Sequence, residues 1–303
     1  MRSALIRRGA AGLALAVVAG LTGCASSADG RPVVYVTTNI LGDVAAEIAG
    51  DDLEIVTLMA PGADPHSFEV SAQQAGGMRD AELVVANGLG LEEGLVHQVE
   101  AAAAEGVPIF VAGEHVDVIE YAEGAGPDPH FWTDPAQMAL VADELGAELA
   151  AHAGDARDDV LARAEAYGRS LRELERRMAS ELGGIPREHR ALVTNHHVFG
   201  YLARRFDLRV LGAAIPGGTT LAAPSPADLR ELVTAIDEAG VQTIFAESSQ
   251  PDRLVQVLAE EADRDVAVVE LISESLAPPG HPGDTYLDMM RVNTDRIVTG
   301  LGP

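Results

Sequence analysis

The stretch "DARDDVLARAEAYGRSLRELERRMASELGGIP", residues 155–186, is a long and uninterrupted helical pattern. Its apolar residues recur at spacings of three and four, as on the buried face of a helix. They are Val160, Leu161, Ala164, Tyr167, Leu171, Leu174, Met178 and Leu182. Gly183, Gly184 and Pro186 end the pattern. A helix of about 27 residues is roughly 40 Å long, which is more than one lobe needs. We therefore predict that residues 154–184 form a helix that bridges two lobes.

Short apolar, β-branched runs alternate with helical patterns on both sides of this helix. Four such runs precede residue 114 and four follow residue 190. They cover residues 32–38, 53–59, 82–87, 107–113, 191–195, 208–214, 241–247 and 266–272. Runs of this kind are typical of buried parallel strands. The predicted fold is α/β, with two lobes that each hold a four-stranded, mainly parallel sheet flanked by helices. The lobes are expected at residues 32–153 and 185–303.

Two helix patterns in the second half have clear ends. In "PSPADLRELV", Ser225 is the expected N-cap, Pro226 the first helical residue and Asp228 a favourable charge in the first turn. "TYLDMMRVNTDRIVTGL" predicts a closing C-terminal helix, in which Met289 and Met290 are expected to pack in the core. The glycine-rich stretch 87–94, "NGLGLEEG", lacks the third glycine of a dinucleotide-binding loop.

The first 23 residues have the composition of an export signal. The basic "MRSALIRR" precedes "GAAGLALAVVAGLTG", an apolar run too short for a comfortable membrane span. Cys24, the only cysteine, follows in "LTGC", which resembles a bacterial lipobox. We therefore predict that Cys24 is lipidated and becomes the mature N-terminus, with residues 24–31 as a flexible tether. The expected location is extracytoplasmic, with the lipid anchored in the cell membrane.

The charge balance excludes some classes of partner. There are 47 acidic residues against 21 basic ones, all of them Arg, and the net charge is -26. Such a surface repels nucleic acid and anionic lipid and mildly favours cations. Aromatic residues make up 4% of the chain, too few for a platform on which bases stack. No nucleic-acid partner is expected.

The tripeptide Asp-Pro-His occurs twice, in "GADPHSFEV" (62–70) and "GPDPHFWTDP" (126–135). Proline fixes its own φ and keeps the preceding Asp out of helical space, so each loop presents its imidazole rigidly. His196 and the neighbouring His197 follow the fifth strand, at the kind of sheet end where ligands bind. The other histidines are expected to be surface residues; they are His97, His115, His152, His189 and His281. Converging neutral imidazoles indicate a metal, although these residues alone leave open whether one binds.

These motifs resemble the metal-binding solute receptors of ABC transporters, the ZnuA/TroA-like zinc and manganese lipoproteins. The stretches "TTNILGDVAAEIAGD", "NGLGLE", "NHHVFGYLARRFDL" and "ESLAPPGHPGDTYLDMMRVNTDRI" also match in order, so that the resemblance covers about residues 32–301. It implies two α/β lobes joined by a long helix, with the metal in the cleft between them. It also implies a receptor and not an enzyme, and a monomer that delivers its metal to a membrane permease and the ATPase of that permease.

The resemblance assigns ligands position by position. It implies that His66, His130 and His196 bind the metal, with Glu274 at the position where the family usually has Asp. Glu247 matches an acidic residue near the cleft and is expected to orient a ligand imidazole. Asp284 and Asp288 are rival candidates for the carboxylate ligand.

Three imidazoles and one carboxylate suit Zn²⁺, whereas Mn²⁺ prefers more oxygen ligands. Zinc is therefore the expected cargo and manganese the alternative. A zinc hydrolase, with Glu247 or Glu274 as its general base, and a surface adhesin are the other functions considered.

Overall fold

The computed structural model of the chain describes residues 30–121, 126–215 and 217–302. The predicted signal, residues 1–23, and the predicted lipidation site Cys24 lie outside the described residues. Within the described ranges, no helix combines the length and the apolar character that crossing a bilayer requires.

The first lobe is built on a sheet of four parallel strands in the order β2-β1-β3-β4. These strands are β1 (Val33–Val36), β2 (Glu54–Thr57), β3 (Leu83–Ala86) and β4 (Ile109–Val111). The flanking helices are α1 (Asn39–Ala49), α2 (Ala72–Arg79), α3 (Val96–Ala104) and α4 (Pro135–His152). The central strand β3 is buried along its whole length, which explains why its sequence is continuously apolar.

The second lobe repeats the same strand order, as β6-β5-β7-β8, and again all strand pairs are parallel. Its strands are β5 (Ala191–Thr194), β6 (Arg209–Ala213), β7 (Thr243–Glu247) and β8 (Ala267–Leu271). Its helices are α6 (Gly200–Phe206), α7 (Pro226–Ala239), α8 (Arg253–Glu261) and α9 (Tyr286–Leu301). All eight predicted strands are confirmed, each somewhat shorter than the apolar run that predicted it.

The bridging helix α5 spans Arg157–Leu182, 26 residues, and a short 3-10 turn at Gly154–Ala156 precedes it. It packs against α1 and α4 on one side of the molecule and against α6 and α9 on the other, which confirms the predicted bridge. Its predicted apolar stripe is buried apart from Leu161, which is partly buried. Arg163 extends from α5 to the end of α1, where its guanidinium donates to the carbonyl oxygens of Ile48 and Ala49 at 2.8 and 2.7 Å. The helix thus also caps an element of the first lobe.

One hydrophobic core runs through both lobes. It extends from Leu83 in the first sheet through the stripe of α5 to Phe245 and Leu271 in the second sheet. Two smaller clusters cover the outer faces of the sheets. The lobes are therefore packed on a shared interior and not merely tethered by a linker.

Both helix predictions in the second lobe, for α7 and for α9, are confirmed. The Ser225 hydroxyl accepts a hydrogen bond from the backbone N–H of Asp228, and the Asp228 carboxylate accepts one from the backbone N–H of Ser225. Pro226 is the first helical residue of α7. Met289 and Met290 of α9 are fully buried. They pack in the core as predicted.

The shared core leads to a prediction about the free energy of unfolding. Leu171→Ala, in the middle of α5, should lower the free energy of unfolding by about 2–5 kcal/mol, because Leu171 is completely buried and its loss leaves a cavity. Urea denaturation followed by circular dichroism measures the change. Leu140→Ala on α4 is the matched control, since Leu140 is 43% exposed. Equal losses in the two variants would contradict the role of α5 as the centre of the core.

Candidate metal site

Four of the side chains singled out in the sequence converge in one place. The structure brings His66, His130, His196 and Glu274 together so that one nitrogen or oxygen of each lies within 4.8 Å of all the others. All four are buried, with at most 1% of any of them exposed. They meet between the two sheets, so the structure contains the cleft that the resemblance implied.

Each lobe contributes two of these side chains from the carboxyl ends of its strands. His66 lies in the loop after β2, and His130 in the loop that leads through a short 3-10 turn into α4. His196 lies two residues beyond the end of β5, and Glu274 lies three residues beyond the end of β8. Carboxyl ends of parallel strands face the same edge of a sheet, and the two edges here face each other.

The carboxylate of Glu274 lies at the centre of the cluster. Its Oε2 is 3.3 Å from Nε2 of His66, and its Oε1 is 3.2 Å from Nε2 of His130 and 3.7 Å from Nε2 of His196. These contacts are close, yet neither oxygen has a hydrogen bond of acceptable geometry among the described residues. Nε2 of His196 likewise has no hydrogen-bond partner. Buried polar atoms without a partner are costly, and a cation between them would satisfy all of them.

His130 is held by the Asp of its own Asp-Pro-His motif. One oxygen, Oδ1 of Asp128, accepts from both the backbone N–H and the ring Nδ1 of His130, at 2.9 and 2.7 Å. The hydroxyl of Tyr121 lies 3.0 Å from the same Nδ1. These contacts give Nδ1 a proton acceptor and turn Nε2 toward the cluster, where it lies 3.3 Å from Nε2 of His66.

His196 is held in the same way by Glu247, the last residue of β7. Oε1 of Glu247 accepts from the backbone N–H of His196 at 3.0 Å and from its ring Nδ1 at 2.7 Å. The second oxygen, Oε2, accepts from the hydroxyl of Ser273 at 3.3 Å. The structure thus gives Glu247 the contact that its predicted orienting role requires.

His66 differs from the other two imidazoles. Its backbone N–H donates to Oδ1 of Asp64 at 2.9 Å, but its ring Nδ1 has no hydrogen-bond partner among the described residues. The nearest carboxylate oxygen is Oε1 of Glu93, 3.8 Å away. The two Asp-Pro-His motifs are therefore alike in backbone and unlike in the contacts of their rings.

The charges of the cluster stabilise one another. Burial raises the pKa of the Glu274 carboxyl, but the imidazoles of His196 and His130 outweigh burial and hold it well below its usual value. Burial also disfavours a charged His130, yet the charge of Glu274 and the hydrogen bond to Asp128 raise the pKa of His130 to about 10. The pKa of His196 is raised against its burial by the charges of Glu247 and Glu274. The same negative charge that raises these imidazole pKa values would also favour a cation at this position.

The rival carboxylates have other partners. Asp284 accepts from the backbone N–H of Gly280 at 2.7 Å, and Asp288 accepts from that of Gly283 at 2.6 Å. Neither belongs to the group of converging ligand atoms in the described part of the chain. Of the other histidines, His97 has 93% of its side chain exposed, whereas His115 stacks on Phe110 with ring centroids 4.7 Å apart.

Asp128 and Glu92 are positioning residues that the sequence analysis did not identify. Buried Glu92, in the glycine-rich stretch 87–94, accepts from the Thr37 hydroxyl at 2.7 Å and from the backbone N–H of Asn87 at 2.6 Å. The amide of Asn87 in turn donates to the carbonyl oxygen of Pro129 at 3.1 Å, next to His130. The sequence signal for this contact was the glycine-rich stretch 87–94, which holds the loop of His130 in place.

Direct contacts between the lobes close the cleft. The Asn39 side chain bonds Ser275 and Leu276 of the second lobe, at 2.7 Å to the hydroxyl and 3.0 Å to the backbone N–H. The indole N–H of Trp132 donates to the carbonyl oxygen of Ser273 at 2.8 Å. Ser273 and Ser275 flank Glu274, so contacts with the first lobe hold the loop of Glu274 on both sides.

Comparison with known proteins identifies the class of the chain. Residues 34–300 match the family described as the periplasmic zinc-uptake complex component A. The metal ABC transporter substrate-binding lipoprotein FimA of Streptococcus parasanguinis is 30% identical over 95% of this chain and 96% of its own length. The manganese-binding lipoprotein MntA of Halalkalibacterium halodurans is 27% identical over 95% of this chain and 94% of its own.

Among solved structures, the periplasmic zinc-binding protein TroA of Treponema pallidum has the same fold. It superimposes with a TM-score of 0.85 at 28% identity, over 90% of this chain and 100% of its own. The relatives are binding components of uptake systems, so a hydrolase is excluded in favour of a receptor. They include both zinc and manganese proteins. The chain belongs to the zinc-uptake complex component A family and is a metal-binding, substrate-binding protein of an ABC transporter.

Proposed function

We propose that the protein captures Zn²⁺ outside the cytoplasm, with His66, His130, His196 and Glu274 as its ligands. The observation that carries the proposal is the cluster of three buried imidazoles around one buried carboxylate, with unpaired oxygen and nitrogen atoms facing one another. Glu247 would orient His196, and Asp128 would orient His130, as outer carboxylates commonly do for ligand imidazoles.

The donor set supports zinc over manganese. Three nitrogen donors and one carboxylate suit Zn²⁺, and Mn²⁺ favours sites with more oxygen. The manganese-binding relative keeps manganese as the alternative cargo. Intrinsic affinity alone favours Zn²⁺ over Mn²⁺ at most sites, so the natural cargo requires a separate measurement.

Delivery and anchoring complete the proposal. A lipid on Cys24 would hold the protein at the outer face of the cell membrane, with residues 24–31 as tether, and related proteins described as lipoproteins support this. The lobes would be residues 32–153 and 185–303, joined by the helical segment 154–184. The loaded monomer would dock on a membrane permease whose ATPase drives uptake.

The metal carried in the cell tests the proposal directly. Protein purified from its own envelope should contain about one zinc ion per chain by mass spectrometry of the metal. Competition titrations of the purified protein should show zinc displacing manganese. A chain that carries manganese from the envelope would reverse the choice of cargo, and one that carries no metal would contradict the proposed capture.

The Zn²⁺ affinities of variants should distinguish the proposed ligands from the residues that only orient them. His66→Ala and Glu274→Ala should weaken Zn²⁺ binding by more than the roughly 10–100-fold typical of losing an outer partner. Glu247→Ala should fall within that range, since it only orients His196. Competition with a chromophoric chelator measures each affinity, and His97→Ala is the exposed-histidine control. If Glu274→Ala binds like the parent protein, the carboxylate ligand is wrongly assigned.

Metal binding should release protons. The pKa of about 10 leaves His130 protonated at pH 7 in the metal-free protein, whereas a ligand imidazole must be neutral. Zinc should therefore displace roughly one proton or more per ion at pH 7, and affinity should fall as pH falls. Calorimetry in buffers of different ionisation enthalpy gives the number released. Binding without net proton release would contradict the assignment of His130.

The lipid anchor is tested at Cys24. Cys24→Ala should release the protein from membranes or leave it with its signal uncleaved, because the lipidated thiol is absent. Cell fractionation and the mass of the protein detect either result. A variant that is processed and membrane-bound like the parent would show that Cys24 carries no anchor.

A further inference from the structure

The three imidazoles of the cluster are not equally restrained. His130 and His196 are each fixed by one carboxylate oxygen that accepts from both the backbone N–H and the ring Nδ1. In both cases the carboxylate belongs to the same lobe as its histidine. His66 has only the backbone half of this arrangement, and its ring Nδ1 has no hydrogen-bond partner in the described ranges. Within its own lobe, the ring of His66 has a 3.3 Å contact between its Nε2 and Nε2 of His130, but no carboxylate fixes its Nδ1.

The loop of His66 is held instead from the second lobe, through Asp64. Oδ1 of Asp64 accepts from the backbone N–H of His66. Oδ2 accepts from the hydroxyl of Thr220 at 2.6 Å and from the side-chain amide of Gln250 at 2.9 Å. Thr220 lies between β6 and α7, and Gln250 lies between β7 and α8. One carboxylate therefore joins the backbone of His66 to two loops of the opposite lobe.

Glu93 makes a second link of the same kind. Its Oε1 lies 3.8 Å from Nδ1 of His66 and accepts from the hydroxyl of Thr219 at 2.7 Å. The neighbouring residues Thr219 and Thr220 thus contact both acidic side chains that flank His66. Within the described chain, the carboxylates of Asp128 and Glu247 accept no hydrogen bond from the opposite lobe, and Asp128 is contacted there at its backbone carbonyl oxygen, by the Tyr201 hydroxyl at 3.1 Å.

We propose that Thr219, Thr220 and Gln250, here called the latch, hold His66 in its coordinating position only while the lobes are together. This inference rests on the proposed capture of Zn²⁺ at the same site. When the lobes move apart, the latch bonds break first, and His66 becomes the ligand that leaves the metal. The latch residues touch no metal; they set how long the metal stays.

The rate of metal release tests the latch. Zn²⁺ is loaded into the full-length protein and its release into excess chromophoric chelator is followed by stopped flow. Thr220→Val should release Zn²⁺ roughly tenfold faster, the effect of losing one hydrogen bond to a charged group, and the double variant with Gln250→Ala should release it faster still. The association rate should not change, because the latch closes after the metal has entered. Thr220→Ser keeps the hydroxyl and should behave like the parent.

Controls separate the latch from a general loss of structure. Thr234→Val removes an exposed hydroxyl that bonds only within α7, to the carbonyl oxygen of Arg230, and should leave release unchanged. The visible absorption spectrum of the Co²⁺-loaded protein should be the same in the latch variants and the parent, since the ligands are the same.

Three results would overturn the inference. The first is a release rate in the double variant equal to that of the parent. The second is release from Thr234→Val as fast as from the latch variants. The third is a Co²⁺ spectrum of the latch variants that differs from that of the parent. The proposed capture fails separately, and the latch with it, only if the parent protein retains no Zn²⁺.

Discussion

The negative charge of Glu274 is the constraint on which the site depends. A carboxylate that is completely buried is unfavourable unless positive charge compensates it. Here the charges of His130 and His196, one from each lobe, provide the compensation, and Nε2 of His66 lies 3.3 Å from one of its oxygens. The same attraction draws the lobes together, so the site and the closed form of the molecule have a common cause. A divalent cation could therefore take the place of protons on the imidazoles while the side chains keep the same arrangement.

The carboxylates around the cluster have a different task from Glu274. Asp128 and Glu247 each fix one imidazole from its own lobe, so two donors are preorganised before any metal arrives. Preorganisation favours tight capture but opposes release, and a receptor that must hand its cargo on needs both. The lack of a third such carboxylate on the ring of His66 is consistent with this double requirement.

Most of the fold could be predicted from local patterns in the sequence, whereas the four converging side chains were assigned from the resemblance to a known family. Buried parallel strands are continuously apolar, and the stripe of α5 has helical periodicity, so the eight strands and the bridge were recognisable. The rigid Asp-Pro-His loops indicated imidazoles with a shared task. Contacts between distant residues left no such pattern: nothing near Asp64 in the chain indicates that Thr220 bonds it. The different surroundings of the two motifs were therefore visible only in three dimensions.

The bridging helix is long enough to amplify a small rotation at one of its ends. With 26 residues it is about 39 Å long, so a tilt of roughly 5° about one end displaces the other by about 3 Å. Metal–ligand bonds to zinc are only about 2.0–2.2 Å long, and two proposed ligands stand on each lobe. A rotation of a few degrees would therefore be enough to pull the coordination sphere apart. If the protein delivers its metal as proposed, the cleft would not need to open widely, because a slight pivot of this long helix would be enough to release the ion.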